Sequence, residues 1–132
     1  MSLDNLIQLV EQLGVGGALR HRDPPDGFEI TIPKDSHQFF LDIDTEASKI
    51  RMEMSIRLCE QFGYPIKILR SVPSKSGEPH MHVYLEFPDV LTVMERIALQ
   101  ACFGSDLTKE LISILRYING IDDPTLMFER KV

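Results

Sequence analysis

Asp42 and Asp44 stand one residue apart in FFLDID (Phe39 to Asp44), and His80 and His82 stand one residue apart in HMHVYLEF (His80 to Phe87). On a β-strand, residues two apart point to the same side, so each pair presents its side chains together. Neighbouring carboxylates suit hard divalent cations such as Mg²⁺ or Mn²⁺, which prefer oxygen ligands and leave room for substrate phosphates. A third acidic residue would complete such a site. Asp106, at the start of a helix, and Asp122 or Asp123, in the loop after it, are the candidates. Plainer roles compete. An Asp-x-Asp pair at a strand end also serves solubility and capping, and an Asp following Ser105 suits a helix N-terminus with or without metal. At His82 a neutral imidazole can bind metal and a protonated one phosphate, although a sheet histidine is more often a packed surface residue. The preceding Ser74-Lys75-Ser76-Gly77 favours phosphate, because glycine opens backbone amides to it and the lysine adds charge. His80, directly after Pro79, falls at the strand edge; Tyr84 and Glu86 read as ordinary sheet-face residues.

The elements that must position these groups follow from periodicity. Met81, Val83, Leu85 and Phe87 alternate with His80, His82, Tyr84 and Glu86, and Phe39, Leu41 and Ile43 alternate with Phe40, Asp42 and Asp44. Period-two patterns of this kind predict strands with one buried face. Ser2 caps an N-terminal helix with the stripe Leu3, Leu6, Ile7, Val10 and Leu13, stopped by Gly14. A loop runs to Asp26, and Phe28, Ile30 and Ile32 form a short strand ended by Pro33. Thr45 caps a helix whose apolar stripe is Ala47, Ile50, Met54, Leu58 and Phe62. Pro65 opens a strand to Val72, and the tight connection Pro73 to Pro79 predicts a hairpin with the histidine strand. Met94, Ile97, Ala98 and Ala101 mark one helix, closed by Gly104. Leu107, Leu111 and Leu115 mark another, capped by Ser105. Thr125 to Glu129 is a last strand with Leu126 and Phe128 inward.

From Phe39 onward this order is the β-α-β-β-α-β of an α+β, ferredoxin-like or RRM-like sheet with helices on one face, preceded by an N-terminal helix and strand. Right-handed crossovers set the aspartate and histidine strands side by side in the middle. Their apolar flanks then face the helices, and Asp42, Asp44, His80, His82, Tyr84 and Glu86 share an open face that the N-terminal addition flanks or partly covers. Residues 1–132 read as a single domain, long enough for its own core. A net charge of -6 argues against nonspecific coating of DNA. It makes any nucleic-acid contact local, near Lys67, Arg70 and Lys75. Two cysteines without a Cys-x-x-Cys pair support neither a zinc ribbon nor a disulfide framework. A reducing, cytoplasmic setting is expected, with no signal peptide and no membrane span.

FLDID followed by SKSGEPHMHVYL on an RRM-like sheet resembles the catalytic core of archaeo-eukaryotic primases and primase-polymerases. The later segment ERIALQACFGSDLTKELISILRYINGIDDPTLMFE is similar to small primase-like proteins of viruses and plasmids. The resemblance implies a metal-dependent nucleotidyltransferase of DNA replication or repair. Asp42 and Asp44, with Asp106 as the third acidic residue, would hold Mg²⁺ or Mn²⁺. His82, with Lys75, Ser76 and Arg70, would hold the triphosphate of the incoming nucleotide. Nucleotides, a DNA or RNA template, and a helicase or other replication protein are the implied partners.

Two alternatives stand beside it. His-hydrophobic-His is similar to the metal motif of HUH replication initiators and relaxases, in which His80 and His82 would bind the ion and Tyr117 would attack a DNA phosphate. An RRM-like module without catalysis, binding nucleic acid or protein, is the other. Its open face lacks the paired aromatics that stack bases.

Overall fold

A computed structural model describes residues 5, 8, 9, 12, 24–73, 80–121 and 123–131. The chain is α+β, with strands β1 (Phe28–Thr31), β2 (Gln38–Ile43), β3 (Lys67–Pro73), β4 (Met81–Glu86) and β5 (Met127–Arg130). Its helices are α1 (Glu46–Gln61), α2 (Val93–Cys102) and α3 (Leu107–Ile118). The predicted N-terminal stripe Leu3 to Leu13, most of the loop after it, Ser74 to Pro79 and Asp122 lie outside the described residues. Among the described residues no helix is long and apolar enough to cross a membrane.

β2, β4 and β3 form one antiparallel sheet in that order, with β4 central. The aspartate and histidine strands are therefore neighbours. This unit, with α1 crossing from β2 to β3, is compatible with a ferredoxin-like arrangement. The apolar flanks do what their alternation predicts. Phe39, Leu41, Ile43, Val83 and Leu85 are fully buried and pack with Met52, Ile66, Leu91 and Phe103. Phe39 and Phe103 meet edge to face at 5.2 Å, the geometry aromatic quadrupoles prefer.

Two features depart from expectation. The α1 stripe chosen by periodicity points outward: Ile50, Met54, Leu58 and Phe62 are 53–73 % exposed. The core instead takes Met52, with Ile56 and Cys59 against it. Met52, Ile56 and Cys59 also recur at helical spacing, so α1 carries two apolar stripes, and the shorter one meets the sheet.

The second departure concerns the polar flank. A ferredoxin-like sheet would set the last strand beside β2, but β5 pairs with β1 in a separate two-stranded sheet. That small sheet lies against the face expected to be open. Phe40 and Tyr84, on the polar flanks, are only 2 % and 3 % exposed and pack with Met127 of β5. Tyr84 is thus a core residue of this second layer, in edge-to-face contact with Phe40 at 4.6 Å.

The outer edge of β2 still needs hydrogen-bond partners, since buried backbone groups are almost always paired. The Phe40 N–H donates to Gln100 Oε1 (2.9 Å) and the Asp42 N–H to Ser105 Oγ (3.0 Å), and the Asp42 carbonyl accepts from the Asp106 N–H (2.8 Å). Gln100, fully buried, passes its own amide hydrogens to Glu110 Oε1 and Thr125 Oγ1. Side chains and the α2–α3 turn replace the missing strand. The turn fits because residue 104 is glycine. Its φ is +96°, and a Cβ there would lie 2.6 Å from the Ser48 carbonyl oxygen of α1.

Candidate metal centre

Three segments meet at one end of the β2–β4 pair. Asp42 and His82 are directly opposed in the ladder, with Ile43 opposite Met81. Because the Asp42 N–H and carbonyl are both engaged at the outer edge, the Asp42–His82 pair is the narrow, non-hydrogen-bonded kind, with Cα atoms about 4.5 Å apart. Just beyond the strand, Asp44 meets His80, Oδ1 to Nδ1, at 3.1 Å. The third segment is the start of α3. Asp106 is its N-cap, its Oδ2 accepting the Lys109 N–H at 3.2 Å, as a helix's unsatisfied first amides require. The backbone bond from Asp106 to Asp42 fixes this cap beside β2.

One carboxylate oxygen each from Asp42, Asp44 and Asp106 lies within 4.8 Å of the other two, all three residues being half-buried. Asp106 therefore caps a helix and joins the acidic group at once. Its donor set, three oxygens with open space beside them, suits a hard divalent cation. The electrostatics agree. Burial pushes the Asp42 carboxyl above its ordinary range, the Asp44 charge pushes it further, His82 and Lys109 pull it down, and Asp106 adds a smaller upward push. A bound cation would relieve that crowding of negative charge.

His82 is held between two carboxylates. Its Nε2 is 3.7 Å from Asp42 Oδ1 and its Nδ1 is 2.8 Å from Glu129 Oε1. Glu129 also accepts the Tyr84 hydroxyl. The group opens into a cleft of about 370 Å³, within the range of small-molecule sites. Lys109 and Arg116 of α3 form one wall, and Phe28, Leu126 and Phe128 contribute apolar surface.

The structure brings together the predicted Asp42, Asp44, Asp106, His80 and His82. It does not bring Arg70. The guanidinium of Arg70 lies 4.2 Å over the Tyr84 ring, an exposed position on β3 outside the cleft lining. Lys67 is further still, opposite Glu86 at the far end of the strand. Asp123 is not in the acidic group; its charge acts on Arg96. Lys75, Ser76 and Asp122 lie outside the described residues. Tyr117 is 44 % exposed and outside the cleft lining; the side of α3 that faces the cleft carries Lys109, Ile112 and Arg116.

Three functional candidates went unread in the sequence. Lys109 and Arg116, two helical turns apart, carry the signal of equal facing. Glu129 carries none. The apolar alternation puts Leu126 and Phe128 inward, and Leu126, just before the strand, is indeed buried; within β5, however, Met127 packs on Phe40 and Tyr84 and Glu129 meets His82, while Phe128 is only half-buried, and a charged residue gives no sign of that inward placement. No family model matches this sequence, and no curated protein or solved structure is similar to it at a significant level.

Proposed function

We propose that the cleft binds a divalent cation and carries out metal-dependent nucleotidyl transfer of the primase-polymerase type, in DNA replication or repair. The observation behind this reading is the convergence of Asp42, Asp44 and Asp106 from two separate elements, with carboxylate oxygens within 4.8 Å of one another. In that reading the three aspartates hold Mg²⁺ or Mn²⁺, and the ion stabilises charge developing on a transferring phosphoryl group. Lys109 and Arg116, lining the same cleft, take over the phosphate contacts for which Arg70 is badly located. Lys75 and Ser76 remain candidates for the triphosphate. Nucleotides and a nucleic-acid template are the substrates, and a helicase or other replication protein is the partner.

The test is incubation with labelled nucleotides, a primed and an unprimed template, and Mn²⁺ or Mg²⁺. Extended product is expected from the wild type and at least a hundredfold less from the Asp42→Ala/Asp44→Ala variant. Absence of product under every condition would remove the reading. A covalent protein–DNA adduct that disappears in Tyr117→Phe would replace it with the HUH mechanism. Nucleic-acid or protein binding without either reaction would leave a non-catalytic module.

A further inference from the structure

α1 is apolar on two sides, where a surface helix needs only one. Met52, Ile56 and Cys59 meet the sheet. The row Ile50, Met54, Leu58 and Phe62 is turned to water, each residue 53–73 % exposed. A contiguous apolar patch of this kind on a folded chain marks a binding face. Residues four apart form one ridge along a helix, so this ridge has a neighbour on either side. Lys49, Glu53, Arg57 and Gln61 make one, and Ala47, Arg51 and Ser55 the other. On the second side an open hollow of about 720 Å³ runs between the ridge and Cys102, with room for side chains from outside. The Arg51 Nε donates to the Cys102 carbonyl at 3.0 Å and fixes that rim.

We propose that this ridge is a self-association face, on which a second copy of the chain packs its own α1 antiparallel. The charge order argues for that occupant. In an antiparallel pair related by a two-fold axis, each flank meets the same flank of the other copy, and every contact occurs twice. Centred near Met54, the pairing sets Ile50 against Leu58 of the second copy, Glu53 against its Arg57, and Lys49 against its uncharged Gln61. The ridge is thus apolar to apolar, and the flanking row opposes no like charges. The contact is one helix wide, 16 residues or about 24 Å long. That falls short of the roughly 800 Å² per partner of a standard interface, so a dilute chain is monomeric, with Met54 in water. α1 covers one side of the β2–β4–β3 sheet and the acidic cleft lies on the other, so both clefts stay open in the pair.

The experiment is sedimentation equilibrium of the full chain from micromolar to millimolar concentration. The wild type should show a reversible monomer–dimer equilibrium with a dissociation constant on the order of 100 µM. Met54→Arg should abolish it. Glu53→Lys sets lysine against arginine across the pair, and Arg57→Glu sets glutamate against glutamate, so each alone should weaken association about tenfold. An equimolar mixture of these two variants should recover the wild-type strength as a heterodimer, because opposite charges then meet at both positions. All three substitutions are at exposed positions, and circular dichroism checks that each variant is folded. A wild type that stays monomeric throughout overturns the inference, whether the face is bare or covered by the chain's own stripe from Leu3 to Leu13. A dimer that survives Met54→Arg forms elsewhere and overturns it too. A mixture that associates no more tightly than its parts overturns the antiparallel pairing.

Discussion

Asp42 sits partly buried between Asp44 and Asp106, and each of these conditions raises its carboxyl from the ordinary value near 3.8. The folded protein therefore holds a proton there across a pH window in which the unfolded chain has released it. Stability falls as pH rises from about 3.8 through the raised value, and the penalty is fully present above that window. Asp42→Asn should consequently raise the melting temperature of the metal-free protein at neutral pH, by an amount on the order of a few degrees, with the difference vanishing in acid. With Mn²⁺ the order should reverse, because bound cation stabilises only the chain that holds it. Thermal melts with and without the ion decide the matter, and a metal-free Asn variant that melts lower would contradict it. At this scale the sequence was informative about identity: an Asp-x-Asp at the end of a strand supplies two members of the acidic group, and the mid-strand His82 lies opposite the first of them. It was silent about Glu129, whose importance comes from a contact between residues 47 positions apart.

Among the elements, α1 separates pattern from packing most clearly. Met52 lies in the core and Met54, two residues on, is 62 % exposed. Met52→Ala should cost about 2–5 kcal/mol, whereas Met54→Ala should fall within about 0.5 kcal/mol of wild type. Denaturant titration of both variants checks this, and equal losses would mean that α1 is docked by its other stripe. Periodicity could identify the helix but not its inward face, because both stripes repeat at the helical interval. The edge of β2 shows a related limit. Gln100, Ser105 and the Asp106 amide occupy positions that a fourth strand would fill, and nothing in their spacing announces that role. Gly104 is the exception that could be read, as a helix stop. Gly104→Ala should destabilise the fold by roughly 1–3 kcal/mol through its positive φ and the close Ser48 carbonyl. It should also weaken Mn²⁺ binding, since the same turn sets Asp106 beside Asp42.

For the molecule as a whole, adjacency of the aspartate and histidine strands was legible, because crossover handedness leaves few ways to order four such elements. The covering of their polar flank was legible only as a possibility for the N-terminal strand; that β5 would join it, and bury Tyr84, depends on β1 offering a pairing edge. The β1–β5 ladder joins Phe28 to Arg130, far apart in sequence, whereas β4 and β3 are joined through a short connection. So distant a pairing carries a loop-closure cost, and its two four-residue strands offer few hydrogen bonds against it, which should make the small sheet easier to open than the three-stranded one. Backbone amides of Ile30 and Phe128 should accordingly exchange with deuterium faster than those of Leu41 and Val83, by brief detachment of the small sheet. Each detachment takes Glu129 with it. Because Leu126, Met127 and Phe128 line the same cleft, a ligand held there should slow exchange along β5, and occupancy of the site would be written in the protection of a strand that contributes none of the three carboxylates.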